Sequence, residues 1–378
     1  MLKNILIHNY NCFVDFKLEL PRRLLIVGSN GSGKSTLWEA LAGLQDVLVR
    51  GVEVTTAFPT RSLTRWLQGD PVQRLAIDLQ LDAETYHYEI EILHDTARRQ
   101  ASIQREQLTI GGRALYESID GEVLLYGDDS HSAPRTRFPF GRKRSFLSDI
   151  EPRDDNRRTL AFRDALMNMW LLKPSPQRLD STTASEALWL DRDGKNFASW
   201  FRSVLVERAG LGNELLEALR PVLPGLQDIG IVSLSREVRE LMLSFRAEGS
   251  NYKLSAGELS DGQRTLLLLY GFLLGAVDHA TLAVLDEPEA GLAPHEMQPW
   301  LSAMSTALDK HGGQALVTSH HPAVVDYLAP ICAVRFSRPA GGPARTDEIT
   351  LETTGGTSVS EWLSRPWAYE NEYEEPAA

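Results

Sequence analysis

The chain has 378 residues, 43% of them hydrophobic, a formal net charge of −12 and two cysteines. That length and apolar content support a full core in two or three lobes. The acidic balance argues against indiscriminate coating of nucleic acid, and Cys12 and Cys332 alone indicate neither a disulfide framework nor a cysteine zinc site. No apolar run reaches the ~20 residues that cross a bilayer. The longest, Leu266 to Val277, is broken by Gly271 and Gly275. The opening Met1-Leu2-Lys3-Asn4 lacks the regions of a secretory signal, so a cytoplasmic location without a membrane partner is expected.

Strand-like alternation begins at once, in Ile5 and Ile7 and then in Phe16, Leu18 and Leu20. Leu24-Leu25-Ile26-Val27 reads as a buried strand, and it runs into Gly28-Ser29-Asn30-Gly31-Ser32-Gly33-Lys34-Ser35-Thr36. This is GxxxxGKS, a phosphate-binding loop between a strand and a helix. Its glycines let backbone N–H groups close on a triphosphate, and the helix opening near Gly33 adds its positive dipole end. Lys34 is placed on the β- and γ-phosphates and the Ser35 hydroxyl on Mg²⁺. Leu37, Ala40, Leu41 and Leu44 then recur at helical spacing.

From about Leu75 to Ile110 the alternation predicts antiparallel hairpins, with Gly111-Gly112 as a turn. Pro134 to Ser145 carries Arg135, Arg137, Arg142, Lys143 and Arg144 around Phe138 and Phe140, with no acid. It reads as a solvated loop, with a nucleic-acid phosphate contact as the alternative. A mostly helical stretch is expected over Leu160 to Leu223, and a strand pair near Ile229–Leu234 and Leu241–Phe245. Pro174, Pro176, Gly194, Gly210 and Gly212 exclude a long coiled coil. Asp191-Arg192-Asp193-Gly194 reads as a turn rather than a metal site.

After Ser255, helix and buried strand alternate as in a layered α/β sheet. Leu259-Ser260-Asp261-Gly262-Gln263-Arg264 precedes a long apolar helix, and Ser260 with the amides near Gly262 forms a second helix start suited to an anion. Thr281 to Leu285 is a strand ending in Asp286-Glu287-Pro288, a Walker B pattern. There Asp286 holds Mg²⁺ and Glu287 polarises the attacking water. Gln314 to Ser319 is a further buried strand, capped by His320-His321-Pro322.

Together these motifs make the chain resemble an ABC-ATPase head of the RecF/SMC/OLD kind, often called AAA-family ATPases. The resemblance rests on Ile5 to Phe13, the loop at Gly28 to Thr36, Glu258 to Leu267 with its LSDGQ in place of LSGGQ, and Thr318 to Pro322. It implies an α/β P-loop NTPase fold with an antiparallel β subdomain and an inserted compact helical lobe. The corresponding division is a core of 1–50 and 255–350, a β portion of 51–125, a helical lobe of 126–254 and an acidic aromatic tail of 365–378.

The resemblance further implies ATP and Mg²⁺, with Glu287, His320 and Lys34 as the catalytic set. In that class Ser260, Gly262 and Gln263 close over the ATP of a second copy, giving a homodimer around two nucleotides. His320, or less directly His321, takes the place of the switch histidine. Gln73 or Gln68 takes that of the metal-sensing glutamine, while Tyr10 and Phe13 are candidates to stack on adenine. In the D-loop position, Gly291-Leu292-Ala293-Pro294 has Ala293 where relatives carry histidine. DNA and a separate nuclease or effector chain are the implied partners in repair or antiphage defence, since too little chain follows His320 for a TOPRIM domain. The alternatives are a transporter ATPase subunit and an assembly factor that holds ATP without hydrolysis.

Overall fold

The computed structural model describes residues 1–67, 69–129, 133–276 and 280–365. The chain divides into two units, residues 1–169 together with those from 331 onward, and residues 170–330.

In the first unit, β1 (Leu2–His8) and β2 (Phe16–Glu19) form an antiparallel pair, and β3 (Arg23–Gly28) follows with four consecutive buried residues. Helix α1 (Lys34–Leu48) buries Leu37, Leu41, Leu44 and Leu48, the stripe its periodicity predicts. A short α2 (Val54–Ala57) leads to the hairpins β4 (Val72–Leu81), β5 (Glu84–Asp95), β6 (Gln100–Ile110), β7 (Arg113–Ile119), β8 (Glu122–Leu125) and β9 (Thr136–Pro139). These make an eight-stranded sheet in the order β2-β1-β4-β5-β6-β7-β8-β9. Helix α3 (Arg157–Met167) sets Phe162 against Tyr86 and Tyr88.

Two expected boundaries move. The strands β1 and β2 belong to the antiparallel sheet rather than to a core of residues 1–50, because Ile5 and Ile7 pair with Ile77 and Leu75 of β4. The same sheet also runs past residue 125, through β9. Here the basic stretch is tied down: Arg135 pairs with Asp129 and Asp155, Arg137 with Glu122, Arg142 with Asp120 and Arg144 with Asp149. Phe138 and Phe140 pack edge-on against Phe146. Ser145, at its end, donates to Glu106, a fully buried carboxyl that also accepts the hydroxyls of Tyr88 at 2.9 Å and Tyr116 at 2.7 Å.

The expected helical lobe of 126–254 is not one body and is not mainly helical. Beyond the edge strand β10 (Met169–Leu172) come the two-residue β11 (Thr182–Thr183), α4 (Phe197–Glu207) and α5 (Leu211–Leu219). An antiparallel set follows, β12 (Leu226–Ser233), β13 (Arg239–Ala247) and β14 (Ser250–Ser255). Prolines and glycines confine the helical periodicity to short runs. The Asp191–Gly194 segment is a turn, closed by the Gly194 N–H on the Asp191 carbonyl at 2.8 Å.

The rest of the second unit alternates helix and strand as expected: α6 (Asp261–Ala276), β15 (Leu282–Asp286), α7 (Pro294–His311), β16 (Ala315–Thr318) and α8 (Pro322–Leu328). The strands run in the order β10-β15-β16, with β15 and β16 parallel. The chain then re-enters the first unit, where β17 (Ala333–Ser337) lies parallel to β3 and antiparallel to β18 (Arg345–Glu348). Short helices α9 (Leu351–Thr354) and α10 (Val359–Leu363) follow. Beyond Arg365 the expected acidic tail lies outside the described residues. Among the described residues, no helix is long and apolar enough to cross a membrane.

The glycines that interrupt α6 have a packing role. A Cβ on Gly271 would stand 2.6 Å from the Phe197 ring, and one on Gly275 would stand 2.7 Å from Trp200. Helix α4 thus approaches α6 across a face with no side chains. Overpacking of this kind costs about 1–3 kcal/mol, so Gly271→Ala is expected to lose that much stability in urea unfolding followed by tryptophan fluorescence.

Candidate functional site

The loop at the end of β3 needs three glycines. Gly28, Gly31 and Gly33 have φ of 149°, 80° and 111°, a region L side chains avoid. A Cβ on Gly28 would also lie 2.3 Å from the Phe336 carbonyl oxygen of β17. Gly33 is the N-cap of α1, and no side chain caps that helix start or places an acid in its first turn. Its leading N–H groups therefore suit an anion. Lys34 is largely buried, and its Nζ donates to the carbonyls of Gly28 at 2.8 Å and Ser29 at 3.0 Å. Ser32 Oγ is buried without a hydrogen-bond partner inside the same loop, while Asn30 is exposed and Ser35 and Thr36 are half-buried.

Arg338, which follows β17, was not legible as part of this region. Its Nη1 donates to the Gly31 carbonyl at 3.2 Å, and its guanidinium lies 5.5 Å from the ring centre of the exposed Trp66. Tyr10 and Phe13 do not remain as stacking surfaces. Both are buried, Tyr10 edge-on to Phe58 and Phe13 against Phe16.

Gln73 is removed from the metal set. It is 0% exposed on β4, its Nε2 donates to the Asn9 carbonyl and Ser62 Oγ, and its Oε1 meets His94 Nε2 at 2.9 Å. Every polar atom of the amide is thereby engaged within the protein. Gln68, the other candidate, lies outside the described residues.

In the second unit the strand tips of β15 and β16 carry the acidic centre. Asp286 and Thr318 are register partners, and the Thr318 hydroxyl donates to Asp286 Oδ1. The second oxygen of Asp286 meets Lys173 Nζ at 2.6 Å. Glu287 turns off the strand with φ 49°, and its Oε1 lies 3.1 Å from His320 Nδ1. His321 instead caps α8, accepting the Ala323 N–H on Nδ1 at 3.2 Å. The two adjacent histidines thus have different surroundings, one exposed beside a carboxylate and one structural.

Ser260 and Gln263 form a reciprocal cap at the start of α6. Gln263 Oε1 accepts the Ser260 N–H at 3.0 Å, and Ser260 Oγ accepts the Gln263 N–H at 3.3 Å. Gly262 is required there, because a Cβ would stand 2.8 Å from the Gly291 carbonyl oxygen. Thr265 Oγ1 donates to the Ala290 carbonyl at 3.0 Å, tying this helix start to the turn after Glu287.

Over residues 24–326 the sequence matches the family described as "AAA domain, putative AbiEii toxin, Type IV TA system". The chain belongs to this family. No curated protein matches it. Among solved structures, this AAA-family head is similar to an SMC head bound to the C-terminal winged-helix domain of ScpA. The TM-score is 0.56 at 13% identity, covering 93% of this chain and 98% of that one. It is also similar to a Pyrococcus furiosus SMC head with an extended coiled coil, bound to the C-terminal domain of ScpA. There the TM-score is 0.57 at 13% identity, covering 96% and 99%. The AAA-family head thus has the α/β fold of SMC heads, the P-loop ABC-ATPase fold.

The residues of this head fit both groups the family implies. The loop offers backbone N–H groups and an unpartnered buried hydroxyl to phosphates. Ser35 in the first unit and Asp286 in the second are each hard oxygen donors, the ligand type that Mg²⁺ takes.

The reassignment of Gln73 carries a test through its partner. Burial lowers the His94 pKa to about 4, so the folded state holds this imidazole neutral where the unfolded chain protonates near 6.5. The unfolded state then binds the extra proton between those values, and stability must fall as pH falls through that window. A loss of up to roughly 3 kcal/mol is expected from this group. Urea unfolding at graded pH checks it, since the stability gap between wild type and His94→Asn should narrow from pH 7 to pH 4.

Proposed function

We propose that the chain is an ATP hydrolase that binds Mg·ATP on the loop of residues 28–36 and works as an ATP-gated switch. Lys34 neutralises phosphate charge, and the amides of residues 31–36 hold the phosphate oxygens. Ser35 and Asp286 are the residues that would hold Mg²⁺, which when bound offsets the charge of the phosphates. Glu287 orients a water and takes its proton as the water oxygen attacks the γ-phosphorus and the bond to the β-phosphate oxygen breaks. His320 holds the Glu287 carboxylate in place and donates to the phosphate.

What supports the reading is the 3.1 Å pairing of Glu287 Oε1 with His320 Nδ1, one residue from the buried Asp286. Hydrolysis requires a base of this kind at the strand tip, and the pairing provides one already oriented. Ser260, Gly262 and Gln263 sit at a helix start whose side chains cap it from within. In the proposal their exposed face closes over the ATP of a second copy. The resulting homodimer serves DNA repair or antiphage defence, with DNA and a separate nuclease or effector chain as partners.

Glu287→Gln is expected to keep ATP affinity, to lower phosphate release by about 10² or more, and to accumulate a dimer with ATP in gel filtration. A strictly monomeric variant under saturating ATP would count against the two-copy arrangement. Lys34→Ala should weaken ATP binding by more than about tenfold in calorimetry, the scale of a lost charge-assisted contact. Unchanged affinity would remove the loop from the site.

A further inference from the structure

A carboxylate buried at the end of an apolar strand needs a counter-charge or a full set of donors. Asp286 is 1% exposed, and the protein supplies both of its oxygens with a partner: the Thr318 hydroxyl on Oδ1 and the Lys173 ammonium on Oδ2 at 2.6 Å. Lys173 is placed for this by topology. It follows directly on β10, the strand beside β15, and its backbone N–H is anchored on the Arg192 carbonyl at 2.7 Å. Its side chain is 48% exposed while that of its partner is sealed. A flexible four-carbon stem that is half in solvent can swing its ammonium out of such a contact without unfolding a strand.

We propose that Lys173 is a resident counter-cation for Asp286 that a divalent ion must displace, so that it sets the Mg²⁺ concentration at which the chain accepts nucleotide. The inference rests on the reading of Asp286 as the carboxylate that meets Mg²⁺. Two cations on one carboxylate oxygen repel each other at a few ångströms, so the ammonium and the ion exclude one another. Without the ion, the lysine keeps a buried negative charge from destabilising the strand tip. With it, the lysine is released into solvent, and the residues that follow it, Pro174 to Arg178, lose one of their anchors. The chain therefore carries a built-in Mg²⁺ threshold.

The test is the Mg²⁺ dependence of binding a non-hydrolysable ATP analogue, measured by calorimetry on the full chain as wild type, Lys173→Met, Lys173→Arg and Asp286→Asn. Asp286→Asn should lose most of the Mg²⁺ dependence. If it keeps that dependence unchanged, the reading of Asp286 fails, and the role of Lys173 fails with it. Given that loss, Lys173→Met should reach half-saturation at about tenfold less Mg²⁺, and Lys173→Arg should stay within about twofold of wild type. An unchanged or raised Mg²⁺ requirement in Lys173→Met, with Asp286→Asn behaving as expected, overturns the counter-cation. Thermal melts give a second readout: Mg²⁺ alone should raise the melting temperature of Lys173→Met more than that of wild type. An equal shift would also count against the proposal.

Discussion

A single buried carboxylate organises the second unit. Asp286 ends a strand whose five residues are all buried, so its charge cannot be left to water. The parallel register that sets Asp286 beside Thr318 supplies one donor, and the neighbouring edge strand supplies Lys173. Thr318 is held by sheet pairing, and Lys173, one residue past β10, by its backbone N–H on the Arg192 carbonyl. The next residue, Glu287, must then leave the sheet. Its N–H still bonds the Thr318 carbonyl at 3.0 Å, while its left-handed backbone turns the side chain out toward His320. A φ of 49° in a non-glycine residue costs of order 1 kcal/mol or more, and such strain concentrates at functional sites.

The turn that follows shows how little freedom remains around this centre. Glu289 is buried, Ser319 Oγ donates to it at 2.5 Å, and the same Oγ accepts the His321 N–H at 3.0 Å. Burial pushes the Glu289 carboxyl up from the ordinary glutamate range. One serine thus ties the segment after Glu287 to the segment that carries both histidines. On the far side, Gly262 and Gly291 approach too closely for a side chain at Gly262, and Thr265 adds a hydrogen bond. The start of α6 is therefore set by the backbone of the turn below the acidic centre.

In the first unit, polar burial decides roles that residue type leaves open. A glutamine between a phosphate loop and a hairpin is free, by composition, to serve a metal or to serve the fold. Gln73 serves the fold because Asn9, Ser62 and His94 surround it on a strand facing the core. The arginines of Pro134 to Ser145 are similar. Their partners Asp120, Glu122, Asp129, Asp149 and Asp155 lie outside the stretch, so a run that reads as unopposed positive charge meets acids from β8 and from the segments around it.

The elements that depend on local chemistry were readable from residue order alone. The glycines and lysine of residues 28–36, the apolar strand before Asp286, the helix after Ser260 and the strand before His320 each carry their own period and punctuation. Even the choice between His320 and His321 had a local signal, since a residue before Pro322 is placed to cap the helix that the proline opens. Tertiary structure alone decided what depends on pairing between distant segments. It moved β1 and β2 into the antiparallel sheet, broke the supposed helical lobe into short helices and strands, withdrew Gln73, and brought Lys173 to Asp286. Sequence periodicity reports which face of an element is apolar. It does not report which other element covers that face or which charge meets it there, and those contacts are fixed only when the sheets close.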